Sequence, residues 1–213
     1  MSHAGPIVLA AHGVDDDWLI RRVRDVLAAG GIVAYPTETF YGLAVDPRSP
    51  AAVERLFRVK GREGTKALPL VAAGVDAAVH ATRDWSVEAR TLASDHWPGP
   101  VTLVVPGATD VRPVHEQTSG TVAIRVPSEP LARLVAHAGG GVVTATSANR
   151  AGRPPCATAA DVLAALDGDV DLVLDGGPTP GGLPSTIVDT TTTPPSLVRA
   201  GAVPWNRVLK SLS

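Results

Sequence analysis

Residues 30–43 read GGIVAYPTETFYGL, and the rest of the chain is arranged around this stretch. Two glycines end a helix, and the apolar run at 32–35 predicts a strand that stops at Pro36. Hydroxyls and a carboxylate follow at once, from Thr37 to Tyr41. Ligands bind at the carboxyl ends of strands in open α/β sheets, so we expect part of a binding site here. An ordinary turn between two strands is the alternative that these residues alone leave open.

Strand and helix patterns alternate along the whole chain. Continuous apolar runs predict strands at 7–10, 32–35, 43–46, 69–73, 101–105, 122–126, 142–146, 171–174, 185–189 and 197–198. Helical spacing with capping residues predicts helices between Asp15 and Gly30 and at 50–60, 86–97, 129–137, 158–166 and 204–209. We therefore predict a single α/β domain over residues 1–213, with helices flanking a twisted mixed sheet.

Composition restricts the kinds of partner. Hydrophobic residues make up 45% of 213 residues, and 19 Lys and Arg against 21 Asp and Glu give a formal net charge of −2. Tight electrostatic binders of nucleic acid are usually basic, so the bulk charge argues against one. A local basic cleft for phosphates stays possible.

Cysteine content and hydropathy point to the cytoplasm. The single cysteine, Cys156, cannot form an intrachain disulfide, which favours a reducing compartment. No apolar run approaches the ~20 residues that span a bilayer, and the first residues lack a secretory leader pattern. We expect a cytoplasmic protein without a membrane partner.

Cations cluster at the end of the helix predicted at 50–60. Lys60, Gly61 and Arg62 follow a helix, with Arg58 and Lys66 nearby. One interpretation is a polyphosphate clamp, with lysine as a point charge and arginine as a bidentate fork. A solvated helix end stabilised by its own cations is the alternative.

Three further places carry polar groups at strand ends. Ser147 and Asn149 follow a buried strand among small residues, which suits anion or nucleotide binding but also a capped turn. Arg125 lies inside an apolar strand, where it faces either solvent or a carboxylate in a cleft. Ser185 opens a strand after a glycine-rich loop, and Arg199 closes the next.

Several common sites are missing from the sequence. It contains no G-x-x-x-x-G-K-[ST] loop, and neither G-x-G-x-x-G nor G-x-S-x-G follows a strand. The six histidines and Cys156 lack metal-ligand spacing. A P-loop, a nucleophile elbow and a protein-ligated metal are therefore not expected.

Seven segments in order resemble one family. They are PTETFYGL at 36–43, KGR at 60–62, WPGPVTL at 97–103, TVAIRVP at 121–127, SAN at 147–149, STIVD at 185–189 and LVRAG at 197–201. This arrangement resembles the YrdC/Sua5 family, the L-threonylcarbamoyladenylate synthases, in its short form without a further C-terminal domain. The resemblance implies a YrdC-like α/β fold around a concave, positively lined cleft.

The family's reaction would join L-threonine, bicarbonate and ATP into threonylcarbamoyl-AMP and pyrophosphate. Mg²⁺ would accompany the triphosphate, without a protein-ligated metal. Downstream tRNA threonylcarbamoyl-transferase proteins would then modify adenosine 37 of tRNA. The resemblance thus predicts a nucleotidyltransferase of tRNA processing.

The resemblance also assigns roles to residues of this chain. Thr37, Arg125 and Ser185 would hold threonine, with Arg125 on its carboxylate. Lys60 and Arg62 would be catalytic and would bind ATP. The other ATP-binding residues would be Thr121, Ser147, Asn149 and Arg199.

Departures from the family pattern keep alternatives open. Glu63 stands where the family usually has proline, and Ala72 where some members carry histidine near threonine. A relative that makes a different carbamoyl-adenylate, or an inactive paralogue, is therefore an alternative function. An RNA-binding module of the same fold, with a weak RNA contact in the cleft, is another.

Overall fold

The structure is a computed structural model that describes residues 5–61, 68–107, 120–166 and 168–213. Its strands are β1 (Ile7–Ala10), β2 (Val33–Tyr35), β3 (Gly42–Ala44), β4 (Leu70–Ala72), β5 (Val101–Pro106), β6 (Thr121–Arg125), β7 (Val142–Thr144), β8 (Thr146–Ser147), β9 (Leu172–Asp175), β10 (Thr186–Asp189) and β11 (Ser196–Arg199). Its helices are α1 (Asp16–Ala28), α2 (Pro50–Lys60), α3 (Val75–His80), α4 (Val87–His96), α5 (Pro130–Ala138), α6 (Ala159–Leu166) and α7 (Trp205–Lys210).

The described strands form two mixed sheets. The first sheet has the order β1-β9-β2-β3-β8, and the second has the order β11-β10-β5-β6-β4-β7. Each combines parallel and antiparallel pairs: β2 is parallel to β9 and antiparallel to β3, while β5 is parallel to β10 and antiparallel to β6. The predicted mixed α/β architecture is present, but its strands are divided between two sheets rather than joined in one.

Helices cover both sheets, and two of them pack against strands of both. One buried cluster packs α2 and α6 against the first sheet, and another packs α3, α4 and α7 against the second. A third cluster joins α1 and α5 to strands of both sheets. In α1, Leu19, Val23 and Leu27 recur every four residues, so they form one buried stripe. The two sheets therefore share a core, and their relative position is fixed by packed side chains.

The helix α2 shows how local sequence places a site residue. The Ser49 side chain accepts a hydrogen bond from the amide of Ala52, and Pro50 occupies the first turn, where its missing amide proton costs nothing. At the other end Gly61 adopts a left-handed conformation with φ of 60°. These signals start the helix at Pro50 and end it at Lys60, as the sequence predicts.

Two local features differ from the sequence-based expectation. The helix α3 is not predicted, because six residues behind the uncapped Gly74 carry too little periodicity. The strand predicted at 142–146 is interrupted at Ala145, so β7 pairs with β4 in the second sheet and β8 pairs with β3 in the first. Within the described residues, no helix is long and apolar enough to cross a membrane.

Candidate functional site

A cavity of about 400 Å³ lies between the two sheets. Its walls come from both of them: Tyr35, Thr37, Thr39, Phe40, Tyr41, Gly42, Thr146 and Ser147 with Ala145 on one side, and Pro69, Thr102, Arg125, Pro184, Ser185, Ile187 and Arg199 on the other. A volume of this size suits a small ligand or part of a larger one. Five residues predicted for the site line this one cavity, namely Thr37, Arg125, Ser147, Ser185 and Arg199.

The turn after β2 forms the first wall, and Thr37 shapes it. The Thr37 hydroxyl accepts hydrogen bonds from the amides of Thr39 (3.1 Å) and Phe40 (3.3 Å) and donates one to the Phe40 carbonyl oxygen (2.7 Å). Such side-chain-to-backbone bonds hold a turn in place of a backbone ladder. Thr37 therefore builds the wall through its own hydroxyl, and a contact with threonine stays a prediction.

Tyr35 lies beneath this turn, against Gly42 on the neighbouring strand. A Cβ on Gly42 would come within 3.1 Å of the Tyr35 ring, so only glycine lets the ring lie there undisturbed. The Tyr35 hydroxyl is buried and has no hydrogen-bond partner among the described residues. Burial raises the pKa of Tyr35 to about 12, although the nearby Arg125 acts in the opposite direction. The cavity therefore has a neutral phenol in its floor.

The second wall is a row of residues across four strands. Thr102 pairs with Ile187, and Ile187 pairs with Arg199. Because Leu103 pairs with Ile124 in the antiparallel β5–β6 ladder, Thr102 also lies opposite Arg125. The register thus places both arginines at the same level of the second sheet. The row includes the second residue of β5 and of β10, near the amino ends of these strands, so the site is not confined to carboxyl ends as the sequence suggested.

Arg125 forms a buried ion pair with Glu38. Its Nη1 donates to the Glu38 Oε1 atom, and the two side chains are 11% and 14% exposed. Burial lowers the pKa of the Arg125 guanidinium, with Tyr35 acting in the opposite direction. An arginine nevertheless stays charged at neutral pH. The alternative of an outward-facing Arg125 is therefore wrong, since the side chain faces a cavity.

Ser185 connects two other side chains of the second wall. Its hydroxyl lies 2.9 Å from the Thr102 hydroxyl and accepts a hydrogen bond from Arg199 Nη2 (3.0 Å). Arg199 also donates from Nε (3.2 Å) and Nη2 (2.8 Å) to the Ser185 carbonyl oxygen. Arg199 is thus held by neutral acceptors, and partial burial of its guanidinium lowers its pKa.

Gly201 makes this arrangement possible. A Cβ at this position would come within 2.3 Å of the Pro184 carbonyl oxygen and 2.5 Å of the Ser185 backbone. The chain after β11 can approach the start of β10 only without a side chain, which explains the glycine in the LVRAG segment.

Lys60 lies behind Ser147 and is not a lining residue of the cavity. It is 4% exposed, and its Nζ donates to the Ser147 carbonyl oxygen and lies 3.5 Å from the Ser147 hydroxyl. The Lys60 carbonyl oxygen accepts a hydrogen bond from Ala151. A solvated helix end, one of the two interpretations of this lysine, is therefore wrong.

Asn149 shapes the loop that follows β8. Its Nδ2 donates to the carbonyl oxygens of Arg150 (2.9 Å) and Arg153 (2.7 Å). Its Oδ1 is buried without a hydrogen-bond partner in the described part of the chain. Asn149 is not among the cavity's lining residues either, and its contact with ATP stays a prediction.

Of the remaining predicted positions, those within the described residues do not line the cavity. Thr121 begins β6, at the opposite end of this strand from Arg125, about 13 Å away at the usual rise per residue. Arg62 and Glu63 lie outside the described residues. Ala72 is fully buried in the core cluster of the second sheet, so its small side chain does not enlarge the cavity.

Sequence reasoning missed three residues of the site. Thr102 and Tyr35 lie within strands predicted at 101–105 and 32–35, and neither is assigned to the site from the sequence. Glu38 was noted as part of a polar turn but was given no partner. The hydroxyl of Thr102 in an otherwise apolar run was the available signal, because a buried hydroxyl needs a partner.

Among the described residues, no group of three or more His, Cys, Asp or Glu is placed to hold a metal ion.

The fold and the cavity define a class of mixed α/β protein with a cavity of small-ligand size between two sheets. A family model for Sua5/YciO/YrdC, described as "Telomere recombination", matches residues 25–201. The chain therefore belongs to the Sua5/YciO/YrdC family, which confirms the resemblance seen in the sequence.

Curated relatives share this family. The chain is 34% identical to threonylcarbamoyl-AMP synthase of Pyrococcus abyssi over 195 residues, which are 92% of this chain and 57% of that protein. It is 36% identical to threonylcarbamoyl-AMP synthase of Nitrosococcus oceani over 160 residues, which are 75% and 86% of the two chains. The chain thus spans a little over half of the first relative and most of the second.

Solved structures agree with the fold. The structure of P. abyssi Sua5 complexed with L-threonine matches with a TM-score of 0.90 and 33% identity, over 97% of this chain and 61% of that one. Escherichia coli YciO matches with a TM-score of 0.78 and 26% identity, over 95% and 97% of the two chains. These matches confirm the predicted YrdC-like α/β fold.

Proposed function

We propose that this chain is an L-threonylcarbamoyladenylate synthase, which forms threonylcarbamoyl-AMP and pyrophosphate from L-threonine, bicarbonate and ATP. The observation that carries the proposal is the convergence of Thr37, Arg125, Ser147, Ser185 and Arg199 on one cavity. The names of the P. abyssi and N. oceani relatives support it. So does the L-threonine in the P. abyssi structure.

The reaction needs positioning and charge stabilisation more than a protein nucleophile. Threonine and bicarbonate give a carbamate and water, and a carbamate oxygen then attacks the α-phosphorus of ATP while pyrophosphate leaves. Arg125 would take the threonine carboxylate, and Ser185 would fix its position next to Arg199. Preorganised cations that meet the developing charge lower the barrier in such a transfer.

The ATP subsite would lie on the Ser147 side of the cavity. Ser147 lines the cavity, and Lys60 lies directly behind it. Lys60 and Arg62 would neutralise the phosphates, with Arg199 facing them from the other wall. Asn149 and Thr121 complete the predicted set.

Mg²⁺ would enter with the triphosphate as part of the substrate. The carboxylate next to the cavity, Glu38, is already paired with Arg125. The lining residues offer no other carboxylate. The ion would therefore be held by phosphate oxygens, which is common for Mg²⁺ in nucleotide sites. In the cytoplasm, the product would pass to tRNA threonylcarbamoyl-transferase proteins.

The test is pyrophosphate release by the pure protein with ATP, Mg²⁺, bicarbonate and single amino acids. We expect release that depends on threonine and on bicarbonate. Release with a different amino acid, and none with threonine, would show that the other amino acid is the substrate. Salt-sensitive RNA binding without turnover would favour the RNA-binding alternative.

Variants of the phosphate clamp extend the test. Lys60→Ala and Arg62→Ala should each lower turnover about 100-fold, because each removes a cation from the developing charge. Lys210→Ala, an exposed lysine near the end of α7, is the matched control and should have no effect. Unchanged kinetics in both clamp variants would contradict the assignment.

A further inference from the structure

Glu38 is paired with Arg125 but carries no role of its own in the proposed reaction. Glu38 belongs to the turn after β2 in the first sheet, and Arg125 ends β6 in the second. The pair therefore links the two sheets beside the cavity. A surface ion pair contributes little, but here both side chains are almost enclosed, so the charge of each strongly affects what can bind next to it.

The geometry leaves one edge of the guanidinium for a ligand. Nη1 of Arg125 donates to Glu38, whereas neither Nε nor Nη2 donates to another group in the described part of the chain. The Nε and Nη2 atoms form the edge that binds a carboxylate with two parallel hydrogen bonds. Glu38 thus holds Arg125 through Nη1 alone, and Arg125, which lines the cavity, keeps its Nε and Nη2 donors for a carboxylate.

The charges around this edge distinguish one class of ligand from another. Arg125 and Arg199 line the cavity, and the adjoining Glu38 offsets one of these two positive charges. A simple carboxylate on Arg125 would bring a second negative charge close to Glu38. A zwitterionic amino acid brings an ammonium group together with its carboxylate, so it adds no net charge.

The second oxygen of Glu38 adds an independent indication. Its Oε2 atom is buried and accepts no hydrogen bond within the described residues. A buried acceptor without a donor is unfavourable, and a positive charge nearby reduces that cost through its field. The ammonium group of an amino acid bound to Arg125 would supply this charge.

We propose that Glu38 selects a zwitterionic α-amino acid over simple carboxylates and other anions at Arg125, by holding this guanidinium and offsetting its charge. The proposal rests on the proposed function, because it takes threonine as the ligand. Glu38 acts through Arg125 and is therefore a positioning and specificity-determining residue rather than a catalytic one.

The test compares threonine with 2,3-dihydroxybutyrate, in which a hydroxyl replaces the ammonium group. In the wild-type protein we expect the acid to bind at least tenfold more weakly than threonine, measured by isothermal titration without ATP. Comparable affinities would overturn the proposal. This measurement needs no turnover, so it stays informative if threonine-dependent pyrophosphate release is not found, a result that would instead refute the proposed function.

Variants separate charge from shape. Glu38→Gln keeps an acceptor for Nη1 and removes the charge, so the preference for threonine over the acid should fall at least tenfold, while the KM for ATP changes less than twofold. Glu38→Asp keeps the charge and should keep most of the preference. Glu54→Gln, an exposed carboxylate on α2, should match the wild type. A folded Glu38→Gln protein with an unchanged preference for threonine over the acid would show that Glu38 only links the two sheets.

Discussion

The two arginines of the cavity occupy the same row of one sheet but differ in their surroundings. Arg125 ends β6, which lies between β5 and β4, whereas Arg199 ends the edge strand β11, all of whose residues are exposed. Arg125 is 9% exposed and binds an anion, Glu38, while Arg199 is exposed and binds neutral oxygen atoms of Ser185. An interior strand forces its arginine to have a charged partner, and an edge strand does not.

This comparison predicts the largest effect for Arg125→Ala. The variant leaves Glu38 buried without its cation, so the free energy of unfolding should fall by about 3 kcal/mol. Threonine-dependent pyrophosphate release should fall at least 100-fold. Urea unfolding followed by circular dichroism measures the first effect. The double variant Arg125→Ala with Glu38→Ala should recover part of the stability, and no recovery would show that the pair is not the cause.

Arg199→Ala should affect activity and spare the fold. Removing an exposed side chain from an edge strand should change the free energy of unfolding by less than about 0.5 kcal/mol. Turnover should fall about tenfold, because the cavity wall loses a cation that would face the ATP phosphates. Arg199→Lys should recover part of the activity through its charge. A stability loss as large as that of Arg125→Ala would remove the contrast between interior and edge.

The two cavity tyrosines sharpen the comparison at high pH. Burial raises the pKa of both Tyr35 and Tyr41 to about 12. Tyr41 donates a hydrogen bond to the Gly177 carbonyl oxygen (2.9 Å), whereas the Tyr35 hydroxyl has no partner in the part of the chain that the structure describes. A raised tyrosine pKa contributes stability that is present below pH 10 and is lost as the pH rises from 10 to 12. Tyr35→Phe has no phenol to ionise. Between pH 8 and pH 11 the wild type should therefore lose about 1 kcal/mol more of its free energy of unfolding than this variant does.

Stability at pH 8 gives the control for this prediction. Tyr35→Phe removes an unpartnered hydroxyl and should not lower stability, while Tyr41→Phe should cost about 1 kcal/mol through its lost hydrogen bond. Chemical denaturation at both pH values measures these differences. A destabilised Tyr35→Phe protein at pH 8 would mean that the hydroxyl has a partner, such as a buried water.

The parts of the fold that sequence could predict are those set by neighbouring residues. The bounds of α2 follow from Ser49, Pro50 and Gly61, and β5 follows from its run of β-branched residues. The assignment of strands to two sheets depends on pairing between distant segments. No local rule specifies such pairing, so the sequence predicted one sheet.

In the candidate site, too, features set by neighbouring residues could be predicted and contacts between distant residues could not. Thr37, Ser147 and Ser185 could be singled out because polar groups stand next to strand ends. The partner of Arg125 could not, since Glu38 is 87 positions away in the chain. The same separation, 87 positions, lies between Lys60 and Ser147. Which charges meet is decided by how the two sheets pack, and that is a property of the whole core.

Thr102 provides the finest test, because one side chain serves both the wall and the core. It is 1% exposed, and its hydroxyl lies 2.9 Å from that of Ser185. Thr102→Val keeps the shape and removes this partner, so stability should change by about 0.5 kcal/mol or less. The KM for threonine should rise about threefold, because Ser185 would then be held by Arg199 alone.

Thr102→Ser makes the opposite change. It keeps the hydroxyl and removes a buried methyl group, so it should cost about 1 kcal/mol of stability and leave the KM for threonine unchanged. Steady-state kinetics and urea unfolding of the two variants separate the roles of this residue. If both variants changed the KM equally, the position of Ser185 would depend on packing rather than on the hydrogen bond. Core packing would then position the cavity wall of the second sheet, and the polar contacts that orient this wall would be those of Arg125 with Glu38.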